Sequence, residues 1–297
     1  NKLGLALGEL GDPRLDPRKP KMVTIPAGPF RMGTSEEDKQ LLAPKKTQSW
    51  PDEQPDHILE LPEFQIGKYP LTNAEFRLSW QQKGHAEQGL WSPEGWMWRI
   101  GTWESDLSGY DSNIQEIIRQ QLAGRKVERR DRPFYWDDPR WSGSNLPVVG
   151  VCWFEAQAYC KWLSRTTGLS YRLPSEAEWE KAARGPNGLL WPWSNEWEAE
   201  KCNCDESNEA FRGTTPVGMY PDGASHYGAL DMVGNVWEWT SSLFKDYPYQ
   251  AGDGREDPAQ PGPRVVRGGS WLGSRDLARC AYRLRRGPDG FSNIIGF

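Results

Sequence analysis

An irregular α+β fold with short strands, two main helices and long loops is what the sequence predicts, on three observations. The 297 residues include 17 Trp, 31 Gly and 24 Pro, the composition of a turn-rich chain with large aromatic anchors and not of a helical bundle. Short segments separated by turn residues read as strands at 22–25 and 30–32, and 57–61 and 64–69 alternate like half-buried strands. Helical signatures recur: Thr72-Asn73-Ala74-Glu75 and Ser175-Glu176-Ala177-Glu178 are capping boxes, each opening a helix.

In chain order, residues 3–10 read as a short helix ending at Gly11-Asp12-Pro13. Residues 1–21 are expected to be a linker or the remnant of a preceding helical domain, with the fold proper spanning 22–297. The polar stretch 34–55 reads as loop, and His57, beside acidic residues, as structural. Residues 84–145 are the least periodic part: a surface insertion packed by its own aromatics, with a helix at 113–122 and a solvated basic run at 125–132. At 153–165 a helix places Ala156, Cys160 and Leu163 on one face and closes at Gly168. Trp179, Ala182 and Ala183 define the buried face of the next helix, and short strands are expected at 169–173 and 215–219.

Net charge of −5 and a pI near 5.5 lack the basic footprint of a nucleic-acid binder. No apolar run approaches a membrane span. Five scattered cysteines, an odd number, argue against a disulfide framework and for a reducing, cytoplasmic compartment. A monomer is expected.

The last stretch, 264–297, interleaves two kinds of position. In an extended strand Arg279, Ala281, Arg283 and Arg285 share one face, and Cys280, Tyr282, Leu284 and Arg286 the other. Gly268-Gly269 and Gly287-Pro288-Asp289-Gly290 supply the bounding turns. Either Tyr282 and Leu284 enter the core with arginines in water, or the arginines turn inward onto carboxylates and leave Tyr282 and Leu284 on display.

Five ordered motifs carry a family resemblance: Val23 to Gly33, Tyr69-Pro70-Leu71-Thr72-Asn73, Arg172 to Glu180, Gly234-Asn235-Val236-Trp237-Glu238-Trp239, and Arg267-Gly268-Gly269-Ser270-Trp271. With them the chain resembles the formylglycine-generating enzyme, or sulfatase-modifying factor, family over residues 22–297. The resemblance implies an elaborated C-type lectin-like fold. It also implies copper(I) held by two cysteines, but the matching positions here are Gly273 and Ala278. No copper and no oxidase activity are therefore expected, soft thiolates being what that ion requires. Structural calcium is implied at Val233, Gly234, Val236 and Glu238, and at a second set, Asn203, Cys204, Glu209 and Phe211. The other role open to Glu238 is a salt bridge to an inward arginine such as Arg283.

The terminal stretch is also similar to the variable tracts of diversity-generating retroelements, which begin Gly-Gly-Ser-Trp and close Ile-Gly-Phe. Arg279, Ala281, Arg283, Arg285, Pro288 and Asp289 match the fixed skeleton of such tracts. The positions that would vary are Leu272, Gly273, Ser274, Leu277, Tyr282, Leu284, Arg286, Gly287, Gly290, Phe291, Ser292, Asn293 and Ile294. Adenine-directed mutagenesis of Asn-type codons cannot reach Lys, Glu, Gln, Trp or Met, and none of these occurs there. The expected function is a non-enzymatic protein that binds an unknown ligand, itself expected to be a protein, through a hypervariable surface. The alternatives are an oxidoreductase of the parent family with a site shifted to Cys280, and a regulatory domain of a larger signalling protein.

Overall fold

The computed structural model describes residues 2–108, 111–206 and 212–297. In order, α1 (Lys2–Leu10) leads to β1 (Met22–Ile25) and β2 (Gly28–Met32), then α2 (Glu36–Leu42), β3 (His57–Leu61) and β4 (Phe64–Gly67). Next come α3 (Asn73–Gln81), α4 (Pro93–Ile100), α5 (Ser112–Ala123), α6 (Trp153–Thr167) and α7 (Glu176–Arg184). The chain finishes with β5 (Trp237–Leu243), β6 (Arg264–Arg267), β7 (Arg283–Arg286) and β8 (Ile295–Gly296). β1 pairs with β4 and β2 with β3, each pair antiparallel. The remaining strands form one sheet in the order β7-β6-β5-β8, with β8 parallel to β5.

The helix starts follow the capping chemistry. Thr72 and Glu75 close the α3 box, and Ser175 and Glu178 the α7 box, each Glu carboxylate accepting the cap N–H at 2.8 Å. α6 uses Cys152 as its cap residue, with Glu155 accepting the Cys152 N–H at 2.9 Å, and ends at Gly168 with φ 75°.

Several local expectations give way to the structure. The 34–55 stretch contains α2, whose box pairs Ser35 with Asp38 in place of the usual Glu or Gln. The expected strands at 169–173 and 215–219 do not form. At Thr215 the Asn235 side-chain amide meets the backbone N–H (3.0 Å) and C=O (3.1 Å), replacing a strand partner. Residues 84–145 are not packed by their own aromatics alone. Trp91, Trp98 and Trp136 enter the main core with Trp153, Tyr159 and Trp162 of α6 and Trp237 and Trp239 of β5. The basic run is a solvated face only in part: Lys126 and Arg129 are exposed. Arg125 is buried, bonded to both Glu155 oxygens (2.6 and 2.9 Å), and lies over Trp98 and Phe291.

The amino-terminal helix packs on the body: Asn145 donates to Gly4 O at 2.8 Å, and a Cβ on Gly8 would lie 2.4 Å from Asn145 Oδ1. His57 is structural, its Nδ1 lying 3.0 Å from Pro55 O while Nε2 accepts the Tyr249 N–H at 2.9 Å. No helix among the described residues is long and apolar enough to cross a membrane.

Candidate ligand-binding surface

The terminal stretch is fixed from beneath by arginines. Arg279 grips both oxygens of Glu53 (2.5 and 2.9 Å), and Arg283 donates to Glu176 at 2.8 Å. Glu176 also faces Arg267 and Arg255, each at 3.4 Å, and Arg267 donates to Glu180 at 2.8 Å. These arginines and their Glu partners are all buried. A buried charge persists only when paired and hydrogen-bonded, so this network fixes where β6 and β7 run. Ala281, also buried, sits between Arg279 and Arg283.

The simple alternation holds only in part. The strand β7 covers Arg283–Arg286, while 279–282 turns, with Tyr282 N–H donating to Arg279 O at 3.2 Å. Cys280 is therefore buried beside Arg279 and Ala281, and not displayed. Arg285, expected inward, is exposed.

Of the candidate variable positions, Leu272 is 57% exposed, and Ser274, Leu277, Tyr282, Leu284, Arg286, Gly287, Gly290, Ser292, Asn293 and Ile294 are half-buried. Tyr282 meets Trp50 edge-on (4.7 Å) and Trp237 at a tilt (5.6 Å). Two candidates depart from the expectation of display. Phe291 is 3% exposed, against Phe134 and under the Arg125 guanidinium. Gly273 is buried in a turn, its C=O accepting the Asp205 N–H at 3.0 Å. Sequence reasoning called for carboxylates beneath the arginines without identifying them: Glu53 and Glu176 lie 226 and 107 residues away from their partners. Only the Glu at the first position of the second capping-box helix offered a hint.

The positions where copper-binding cysteines would stand are apolar. Ala278 packs with Cys202, Cys204 and Val233. Burial pushes the Cys280 thiol well above its ordinary range, the reverse of what a reactive thiolate needs. Among the described residues no group of three or more His, Cys, Asp or Glu side chains comes together to hold a metal.

The calcium-type positions are of another chemistry, carbonyl oxygens and one carboxylate. Glu238 is buried and accepts the Trp179 indole N–H at 2.8 Å, so it is not the partner of Arg283. Burial, with Asp231 adding repulsion, pushes its carboxyl up to about 8 against the indole's opposing pull. No basic side chain is paired with it among the described residues. A hard cation fits such an uncompensated carboxylate. The turn before it bends sharply, with Gly234 at φ 77° and Asn235 at φ 60°. At the second set, the Asn203 carbonyl accepts the Asn235 N–H at 2.7 Å and Cys204 is buried. Glu209 and Phe211 lie outside the described residues.

Comparison with known proteins places this geometry. Residues 9–297 match the sulfatase-modifying factor enzyme 1-like domain. The inactive C-alpha-formylglycine-generating enzyme 2 of Bos taurus is 30% identical over 93% of this chain and 86% of its own. The formylglycine-generating enzyme of the same organism is 29% identical over 93% of this chain and 73% of its own. Among solved structures, PvdO from Pseudomonas aeruginosa superposes with a TM-score of 0.65 at 25% identity, covering 94% of this chain and 93% of that one. The Treponema denticola variable protein 1 has a TM-score of 0.59 at 22% identity, covering 93% and 92%. The fold is thus the C-type lectin-like one, and relatives named as enzymes and as inactive are both among its kin. This chain belongs to the sulfatase-modifying factor family, the family of the formylglycine-generating enzyme.

Proposed function

We propose that this chain is a non-enzymatic ligand-binding protein whose terminal stretch displays a surface diversified by a retroelement. The observation that carries the reading is the division of labour across 279–286. Arg279, Ala281 and Arg283 are locked into the interior, while Tyr282, Leu284 and Arg286 keep part of their surface open. A tract under mass substitution needs that separation, since the residues that hold the fold must not be those that change. Leu272, Ser274, Ser292, Asn293 and Ile294 extend the same open set into the flanking loops. Tyr282 is its aromatic anchor, the residue type that dominates protein interfaces.

The lack of thiols at Gly273 and Ala278, and the desolvated Cys280, support a binding role over oxidation of a substrate cysteine. The partner class in best accord with a broad, partly apolar patch is a protein. A displayed library varying Leu272, Ser274, Tyr282, Leu284, Arg286 and Asn293 tests the reading. Folded members should yield binders to an arbitrary soluble protein. Unfolding of most members would overturn it. An adenine-rich near-copy of the terminal stretch beside the gene, with a reverse transcriptase, is the matching genomic expectation.

A further inference from the structure

A cavity of about 130 Å³ lies between α3, α6, β5 and the segment 14–22, with the terminal residue Phe297 in its wall. Its walls are mostly apolar, including Leu71, Leu163, Leu230 and Trp239. An engineered apolar cavity of about 150 Å³ holds benzene, so this one has room for a single small body.

Two polar groups in the wall lack a complete set of partners. The Tyr159 hydroxyl is buried with nothing bonded to it, in a residue 3% exposed. Its ring cannot turn away: it stacks on Phe76 at 5.6 Å and meets Phe297 edge-on at 5.6 Å. Glu75 is buried, and the bonds recorded to its carboxylate all reach Oε2, from Thr72 N–H (2.8 Å) and the Thr72 hydroxyl (2.6 Å). Glu238, with its one indole bond, faces the same space. The cations at the rim are committed or outside: Arg14 pairs with Asp12, Arg172 pairs with Glu178, and Lys21 is exposed. The cavity therefore presents the Glu75 carboxylate to an apolar interior with no basic side chain paired to it among the described residues, while the Tyr159 hydroxyl is sealed behind the wall.

We infer that this cavity is a binding site for a small primary amine on an apolar body of about six carbons. The ammonium would donate to the Glu75 carboxylate, and the hydrocarbon would fill the apolar remainder. Burial pushes the Glu75 carboxyl up, with the Thr72 bonds opposing. An ammonium at that point favours the ionised form, so charge and desolvation are settled together. The site is independent of the reading of the terminal surface.

Benzylamine and its neutral counterpart benzyl alcohol are the probes, followed by calorimetry and melting temperature in millimolar calcium to hold the Glu238 loop constant. Benzylamine should bind saturably and raise the melting temperature, with benzyl alcohol at least about tenfold weaker. Glu75→Gln keeps the capping box, because Gln closes it too, and should lose at least about tenfold in amine affinity. Tyr159→Phe removes an unpartnered hydroxyl that is sealed from the cavity, so the protein should melt at or above the wild-type temperature and bind benzylamine as the wild type does. No saturable binding, equal binding of the alcohol, or an unchanged affinity in Glu75→Gln would each overturn the assignment.

Discussion

Arg283 donates to Glu176 across 2.8 Å with both side chains sealed from water, joining β7 to the first turn of α7. Glu176 is shared: Arg267 and Arg255 reach it as well. Glu53 has one arginine, Arg279. The two anchors should therefore differ in how they fail. Arg279→Leu leaves Glu53 buried without a cation and should cost about 3–5 kcal/mol. Arg283→Leu leaves two guanidiniums on Glu176 and should cost less, about 1–3 kcal/mol. Urea unfolding of the two variants checks the order, and a silent Arg279→Leu would dismantle the anchoring argument.

On the open side, Tyr282→Asn and Leu284→Asn should each cost about 1 kcal/mol, the ordinary size of a point-mutant effect. Both side chains touch the core edge, but neither is enclosed. Phe291→Asn should cost about 3–5 kcal/mol, because a buried ring is removed from beneath Arg125. Thermal melts of the three separate display from burial directly.

Calcium should raise the melting temperature and a chelator should lower it, since an ion that binds only the folded state stabilises it by mass action. Glu238→Gln should abolish the calcium response. Melting curves indifferent to both calcium and chelator would remove the ion from this protein.

A cysteine-containing sulfatase peptide incubated with the protein and copper(I) should yield no formylglycine above a control without protein. Mass spectrometry reads the product, and turnover would refute the non-enzymatic reading.

Glu75 gives a pH signature. Its folded carboxyl is raised above the ordinary value of 4.5 by burial, so between that value and the folded one the native state holds a proton that the unfolded chain has lost. That contribution is fully present below pH 4.5 and is lost as pH rises through the folded pKa. The stability of the wild type minus that of Glu75→Gln should therefore fall from pH 4.5 towards 7 in urea titrations. A flat or rising difference contradicts the assignment.

Much of the frame was legible because local chemistry determines it. Thr72, Ser175 and Gly168 mark helix ends by rules that act within a turn, and 57–61 alternates as a half-buried strand must. What escaped were features made by distant partners. Arg125 looks like a surface charge until Glu155 and Trp98 are brought to it. Asp38 hid a capping box by being one methylene short of the expected Glu. At the terminal stretch, inward arginines were foreseeable from parity at Arg283, but the turn at 279–282 breaks parity and buries Cys280. Phe291 was misplaced because an aromatic in a Gly-rich loop gives no sign that a neighbouring segment will cover it.

The terminal stretch is pinned at both ends. Arg267 is held by Glu180, and Gly296 lies so close to Val148 that a Cβ there would come within 2.5 Å of its carbonyl oxygen. Between them Arg283 must stay opposite Arg267 in the ladder. One residue added or lost before Arg283 would turn the guanidinium to the wrong face and leave its carboxylate behind. A retroelement rewriting this segment, as proposed, could exchange letters freely at the open positions but would have to keep the count, so natural variants should then differ in spelling and never in length.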